Sequence, residues 1–304
     1  MKPAPFRYHR PRDVQEAVAL LHDLLGRGGH AKVLAGGQSL LPVMSMRLAS
    51  PEHLVDINAV AGLDEVGVTA DGVRIGALVR HRDLERDAAA FAALPLLRET
   101  LQHVAHPTIR NRGTTVGSIC HADPSAEMPA VLAMVGGYVV AASVRGERQV
   151  PASELFVGPL ETSLAEDELA VAAVFPTLPA GTGSAMVEVA RRHGDYAVCG
   201  VVATVSLDDE GRVGRVRAGY LSAGDSPAPL DLSAPVAGSV VADADWAAVG
   251  ELAREVVPTD ADIHASAQYR SQLVAVLTER AVRTAASRAQ DGPHRLTDDE
   301  GHAA

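Results

Sequence analysis

Two short segments carry residue types suited to gripping an anion. Val33–Leu48 (VLAGGQSLLPVMSMRL) sets Gly36-Gly37 after a strand-like run and before a helical one, with Gln38 and Ser39 immediately beyond. Residues without Cβ let backbone N–H groups approach phosphate oxygens, and the amide and hydroxyl side chains add donors. Ile109–Leu132 (IRNRGTTVGSICHADPSAEMPAVL) holds Gly113, Thr114, Gly117 and Ser118, read as a second short loop, beside Arg110 and Arg112. A long anion such as a dinucleotide pyrophosphate fits between two loops of this kind. Glu127, opening the next helical run, can accept hydroxyl hydrogens from a sugar or sugar alcohol, or can serve only as a helix-dipole partner.

Other candidates carry less. Gly26, Gly28 and Ala31 satisfy G-x-G-x-x-A, but a helix precedes them and a strand follows, the reverse of the dinucleotide-binding order. A helix C-cap is the expectation there. His121 beside Asp123 suggests a general base, yet Ser118, Cys120 and Ser125 stand in no G-x-S-x-G elbow. The spacing of Cys120, His121 and Asp123 matches no common zinc pattern. Cys199 lies in an apolar run and reads as a core thiol.

The elements that must position these residues follow an α/β rhythm in short pieces. Apolar positions at Val14, Ala17, Val18, Leu21, Leu24 and Leu25 predict an amphipathic helix over Asp13–Leu25, with Asp13 as cap. Strands are expected at Lys32–Ala35, Leu54–Ile57, Gly72–Leu78 and Gly137–Val144, and helices at Leu40–Arg47, His81–Leu101 and Glu127–Met134. Pro176–Gly183 (PTLPAGTG) has linker composition, so a boundary near 180 follows. Beyond it, strands at Ala185–Ala190, Val198–Leu207 and Gly214–Ser222 and helices at Trp246–Val256 and Tyr269–Ala286 suggest a small α+β domain. The polar residues 288–304 read as a frayed tail.

Length and composition narrow the classes. The 304 residues suffice for two or three domains, and a mean hydropathy of +0.08 argues against an integral membrane protein. The longest uncharged stretch, Met128–Val144, is divided by Gly136-Gly137 and reads as buried core rather than a membrane span. A net charge of −11 with only ten aromatics (four Phe, five Tyr, one Trp) argues against a nucleic-acid binder. Met1–Asp13 lacks the apolar run of a secretory signal, so a cytoplasmic chain is expected. With Cys120 and Cys199 as the only cysteines, no iron-sulfur cluster or four-cysteine zinc site can be built from this chain alone.

AGGQSLLPVMSMRL, IRNRGTTVGSICHADPSAEMPA and RRHGDYAV (Arg191–Val198) occur in this order, accompanied by IGALVRHRDL (Ile75–Leu84) and YRSQLVAVLTERAV (Tyr269–Val282). From about Phe6 to Ala285 the chain resembles the FAD-binding medium subunits of the molybdenum hydroxylases, the relatives of carbon monoxide dehydrogenase and xanthine dehydrogenase. The resemblance implies an α+β fold of the vanillyl-alcohol-oxidase-like (PCMH) type. FAD-binding subdomains would span 1–59 and 60–178, a C-terminal α+β domain 179–287, and a flexible tail 288–304. It also implies cofactor contacts. Lys32 and Val33 align with the adenine end. Ala35, Gly36, Gly37, Gln38 and Ser39 form one pyrophosphate loop, flanked by the further cofactor contacts Leu34 and Leu40, and Thr114, Thr115, Val116, Gly117 and Ser118 form the other. Glu127 would hold the ribityl chain, Asp123 would join the same site, and Tyr196 would lie by the flavin ring with Asp195 orienting its loop. No catalytic acid and no metal ligand are expected in this chain.

By the same resemblance the chain receives electrons on FAD from a small iron-sulfur subunit, in a complex whose large subunit carries the molybdenum cofactor. It passes them to an external acceptor such as NAD, a quinone or oxygen, and a dimer of heterotrimers is the expected assembly. The family usually has two adjacent glycines where this chain has Val116-Gly117, and valine does not readily adopt positive φ. Glu188 and Val187 stand where some relatives place a lysine, while Arg191 or Arg192 can represent the cation preceding the G-D-aromatic motif. A non-catalytic interaction subunit with a weakened FAD grip is the alternative. Gly37→Leu is expected to lower FAD content by placing a side chain where the backbone meets the pyrophosphate. FAD stoichiometry measured alongside thermal unfolding checks this, and unchanged FAD content would remove the first loop from the site.

Overall fold

A computed structural model describes residues 2–224 and 226–291. Its strands pair into sheets of three, five and four strands, with a two-stranded ribbon beside them. The first sheet is parallel, in the order β1 (Arg7–His9), β3 (His53–Asp56), β2 (Ala31–Leu34). Between β1 and β2 runs α1 (Val14–Gly26), where the Asp13 carboxylate accepts from Glu16 N at 2.8 Å and Ala17, Val18, Leu21 and Leu24 form the buried stripe. The helix closes through Gly28, at φ +75°, whose N–H donates to the Leu25 carbonyl. The G-x-G-x-x-A match is therefore a C-cap, as its position implies. From β2 the chain passes through α2 (Leu40–Ser45) into the adjacent parallel β3. The loop 35–39 and the residues after Asp56 thus leave neighbouring strands at the same carboxyl end, where open α/β sheets present ligands.

The second sheet is antiparallel, ordered β4 (Val66–Thr69), β5 (Gly72–Gly76), β10 (Leu169–Phe175), β6 (Tyr138–Ser143), β7 (Gly146–Pro151). Central β10 is buried at all seven positions, and no strand is read there from sequence because a strand covered on both faces shows no alternation. The single helix expected over His81–Leu101 is instead three: α3 (His81–Leu84), α4 (Ala88–Ala93) and α5 (Leu96–Leu101). Asp87 caps α4, and Leu94-Pro95 separates it from α5, since proline cannot extend the preceding hydrogen-bond ladder. After α6 (Pro107–Arg110), the segment read as a loop at 113–118 is largely helical. Thr114 accepts from Gly117 N at 3.1 Å and caps α7 (Thr115–His121). Next, α8 (Glu127–Met134) is buried at every position, as expected of a helix enclosed all round. Short α9 (Ala152–Leu155) leads into the ribbon of β8 (Phe156–Gly158) and β9 (Glu161–Thr162).

The third sheet orders β11 (Thr182–Ala190), β12 (Ala197–Leu207), β13 (Val213–Leu221) and β14 (Leu230–Asp231). Along β12, Cys199, Val201, Ala203 and Val205 share a core with α10 (Trp246–Val256) and α11 (Ala267–Asp291). Val202 joins the other core, and Thr204 Oγ1 lies 3.5 Å from Met134 Sδ of α8. The sheet is thus sandwiched between its own helices and the part of the chain that precedes it. Helix α11 runs past its predicted end at Ala286, so residues 288–291 of the expected tail are helical. Arg288 there donates to Glu99 at 2.8 Å and to the Ser184 carbonyl at 2.6 Å. The rest of that tail, 292–304, lies outside the described residues.

Gly183 sits where α11 presses on β11, and a Cβ there would overlap the Ala285 carbonyl oxygen and lie 2.5 Å from Ala289 N. Gly183→Val is expected to destabilise the chain by about 1–3 kcal/mol through overpacking. Urea unfolding measures this; an unchanged midpoint would mean that α11 shifts freely on the sheet.

Candidate cofactor site

The two segments singled out for their anion-gripping residue types meet. A Cβ on Gly36 would overlap the Arg112 carbonyl oxygen and lie 2.8 Å from Gly113 Cα. Only glycine permits this approach. Gly37 adopts φ +74°, turning the chain into α2. The contact is braced by Asn58, whose Nδ2 donates to the Ala35 carbonyl at 2.8 Å, and by Arg80, which donates to Asn58 Oδ1 at 2.5 Å and to the Arg112 carbonyl at 2.7 Å. Asn58 is itself held by Asp56, which also accepts from Tyr8. Burial acts to raise the Asp56 pKa, but the hydrogen bonds from Tyr8 and Asn58 outweigh it and hold the carboxyl below its ordinary value.

Buried His81 supports the second segment from beneath. Its backbone N–H donates to the Gly113 carbonyl at 3.0 Å and its Nδ1 lies 3.2 Å from Thr115 Oγ1. Desolvation, with Arg110 adding to it, lowers its pKa to about 4, so the ring is neutral at physiological pH.

The backbone N–H groups of Gly37, Gln38, Ser39 and Leu40 have no acceptor among the described residues, nor has that of Val116. Gln38 turns its side-chain amide to the Gly36 carbonyl. Arg80 and Arg112 stand near enough for the charge of Arg112 to lower the Arg80 pKa, after desolvation. Clustered free N–H groups beside two guanidinium ions fit a diphosphate.

Acidic groups gather at the other end of the site, where the sheets meet. Glu127 is 7% exposed, and desolvation, with Asp123 adding to it, raises its pKa to about 7. Desolvation and then Glu127 raise Glu188 of β11 to about 8. Tyr196, 66% exposed, has its pKa raised by desolvation and then by Asp123 and Glu127. Its loop is set by Gly194 at φ +84°, where a Cβ would lie 2.5 Å from His106 Nδ1. Asp195 pairs with Arg191 at 4.0 Å.

Of the residues singled out from sequence, the structure brings 35–40, 113–118, Asp123, Glu127 and Tyr196 into these two adjoining regions. Lys32 is exposed, Val33 half-buried and Leu34 buried on β2 leading into the first loop. Thr115 is fully buried and its N–H donates to the Val79 carbonyl at 3.4 Å, while the Val116 side chain is a core residue, so of the two only the Val116 N–H is left without an acceptor. Val116 has no positive φ and lies in the first turn of α7, so the family's double glycine is not required by this backbone. Cys199 is fully buried. Among the described residues no group of three His, Cys, Asp or Glu could hold a metal ion, and no helix is long and apolar enough to cross a membrane. Sequence reasoning missed Asn58, Arg80 and His81 as positioning residues. Their signal was the D-x-N after a strand and the R-H pair opening a helix.

Residues 4–178 match the family described as FAD binding domain in molybdopterin dehydrogenase, and residues 184–285 the CO dehydrogenase flavoprotein C-terminal domain. The chain is 40% identical to the 6-hydroxypseudooxynicotine dehydrogenase complex subunit alpha of Paenarthrobacter nicotinovorans over 95% of its own length and 97% of that protein. It is 34% identical to the carbon monoxide dehydrogenase medium chain of Afipia carboxidovorans, covering 96% of this chain and 100% of that one. A chain of quinoline 2-oxidoreductase from Pseudomonas putida 86 superposes with a TM-score of 0.87 at 34% identity, over 95% of this chain and 99% of that one.

Arg80→Met removes two charge-assisted hydrogen bonds from the brace while keeping most of the side chain's volume. FAD affinity is expected to fall about tenfold or more, the loss of one such bond's worth of preorganisation. Fluorescence titration of the FAD-free chain checks this, and an unchanged dissociation constant would show the brace to be dispensable.

Proposed function

Because the chain belongs to the FAD-binding medium subunits of the molybdenum hydroxylases, we propose that it is the flavin station of a three-subunit dehydrogenase. Electrons reach it from a small iron-sulfur subunit, fed by a large molybdenum-cofactor subunit, and leave for an external acceptor. The observation that carries the reading is the convergence of the 35–40 and 113–118 segments, with their free N–H groups, beside the acidic junction at Glu127. The division of the chain into FAD-binding subdomains 1–59 and 60–178 and a C-terminal domain 179–287 is part of the same proposal, as is a dimer of heterotrimers.

Bound FAD supplies the redox chemistry; the residues of this chain hold and tune it. Gly37, Gln38, Ser39 and Leu40 offer backbone donors to the diphosphate from one side, with Gly36 allowing the close approach of the two segments, and the first turn of α7 offers the Val116 N–H from the other. Thr114 shapes that turn, and Gly117 and Ser118 continue it. Asp123 and Glu127 accept from the polyol chain, and the exposed Tyr196 ring flanks the flavin. Lys32, Val33 and Leu34 line the approach to the adenine end. Two free cysteines cannot build an iron-sulfur cluster, so the cluster of this proposal belongs to another subunit. Free thiols also suit the reducing cytoplasm in which we place the complex.

The ordinary backbone at Val116 favours a loaded flavoprotein over a non-catalytic relative, because the second segment keeps its helical cap and its free N–H. Isolation of the native complex through a tag on this chain tests the reading. Co-eluting molybdenum and iron, with FAD equimolar to this chain and released on denaturation, is the expected result. A folded, colourless chain that takes up no added FAD would contradict it.

A further inference from the structure

Resting on the flavin reading above, we propose that Arg110 is a positioning residue for the flavin end of the site: it holds the turn at residues 104–106 on which the Tyr196 loop is seated. Arg110 acts on the ring through Tyr196, without touching FAD itself.

Arg110 and Arg112 stand two residues apart beside the second segment, as candidate cations for one anion, but the structure separates their roles. Arg112 is exposed, whereas Arg110 is 8% exposed and turns inward. Its Nε lies 2.8 Å from Oε1 of Glu85, just beyond α3, and its Nη1 donates to two successive carbonyls, Val104 at 2.9 Å and Ala105 at 2.7 Å. A planar fork reaches the carboxylate and the carbonyls at once, which a single ammonium could not. The enclosed charge is thereby both paired and hydrogen-bonded.

The turn it holds carries a strained residue. Ala105 has φ +46°, a left-handed backbone uncommon for a residue with a side chain and kept only where the surroundings impose it. Here the carbonyls on both sides of that conformation are drawn to one guanidinium. The next residue, His106, meets the loop that carries Tyr196. Gly194, at φ +84°, comes so close that a Cβ would lie 2.5 Å from His106 Nδ1, 2.7 Å from its Cε1 and 3.0 Å from the Ala105 carbonyl carbon. Beyond Gly194, the Asp195 N–H donates to the Arg192 carbonyl at 3.1 Å, and Tyr196 stands 66% exposed just before β12. The Arg191–Asp195 pair, at 4.0 Å and largely in solvent, adds little to this seat.

The same short helix also reaches the diphosphate end. The Gly113 N–H donates to the Ile109 carbonyl at 2.7 Å, and the Arg112 carbonyl, which excludes a side chain at Gly36, accepts from Arg80. The four residues of α6 therefore lie between the contact of the two glycine segments and the turn beneath the Tyr196 loop. Arg110 fixes the far end of that span, and with it the distance at which a ring can stand from a diphosphate held by the near end.

Emission from bound flavin tests this, because an aromatic ring in contact with the isoalloxazine quenches it. In the full chain saturated with FAD, Tyr196→Leu sets the emission reached when that ring is lost. Arg110→Met, which keeps most of the bulk and removes the fork, is expected to lose the same quenching while still binding FAD, with thermal unfolding confirming its fold. Arg110→Met combined with Tyr196→Leu is expected to emit no more than Tyr196→Leu alone, since one residue acts through the other. Gly194→Ala presses the loop off its seat from the opposite side and is expected to lose quenching too, which carries the test if Arg110→Met does not fold. Native quenching retained in folded Arg110→Met or in Gly194→Ala, or a further rise in the double variant, would overturn the role of Arg110 while leaving the flavin reading intact. Unchanged emission in Tyr196→Leu would overturn it as well. A native chain that binds no FAD would overturn both.

Discussion

The site depends on one close contact: the Gly36 backbone lies against Arg112 and Gly113, leaving no room for a side chain. That contact joins the parallel sheet to the second, antiparallel one, and the Asn58–Arg80 bridge holds it. A hydrogen bond to a charged group contributes about 1.5–3 kcal/mol, so the bridge has ample strength to fix the spacing between the segments. Opening the contact would send the free N–H groups of residues 37–40 and of Val116 in different directions.

The site also has electrical polarity along its length. Arg80 and Arg112 make the loop end cationic, and Asp123, Glu127 and Glu188 make the junction acidic. A ligand with a diphosphate at one end and a polyol and neutral ring at the other matches this gradient, whereas a simple polyanion would be repelled by the acidic end. The ordering is set by the fold: Arg80 lies between β5 and α3 and Arg112 between α6 and α7, whereas Asp123 and Glu127 lie between α7 and α8 and at the start of α8, and Glu188 lies on β11 of the third sheet.

Where a pattern reflects a single buried face, the sequence displays it. The stripe of α1 and its Asp13 cap are legible for that reason, as are the glycine turns at 36-37, whose residue type is dictated by contact. Central β10 is hidden because both of its faces are covered and its residues run apolar without a period. The α7 start was read as loop because glycine and threonine suggest turns, although Thr114 and Gly117 form a cap. Asn58, Arg80 and His81 act through partners more than twenty residues away, and Glu188 joins the acidic groups at the junction only because the third sheet folds against α8. Such long-range pairings leave no local signature.

The central claim is that a single diphosphate engages both segments at once, and backbone hydrogen exchange measures it directly. Exchange of the Gly37–Leu40 and Val116 amides is compared with and without FAD. The account predicts that both groups gain protection together, in proportion to FAD occupancy. Protection confined to one segment, with the other exchanging unchanged at saturation, would contradict it.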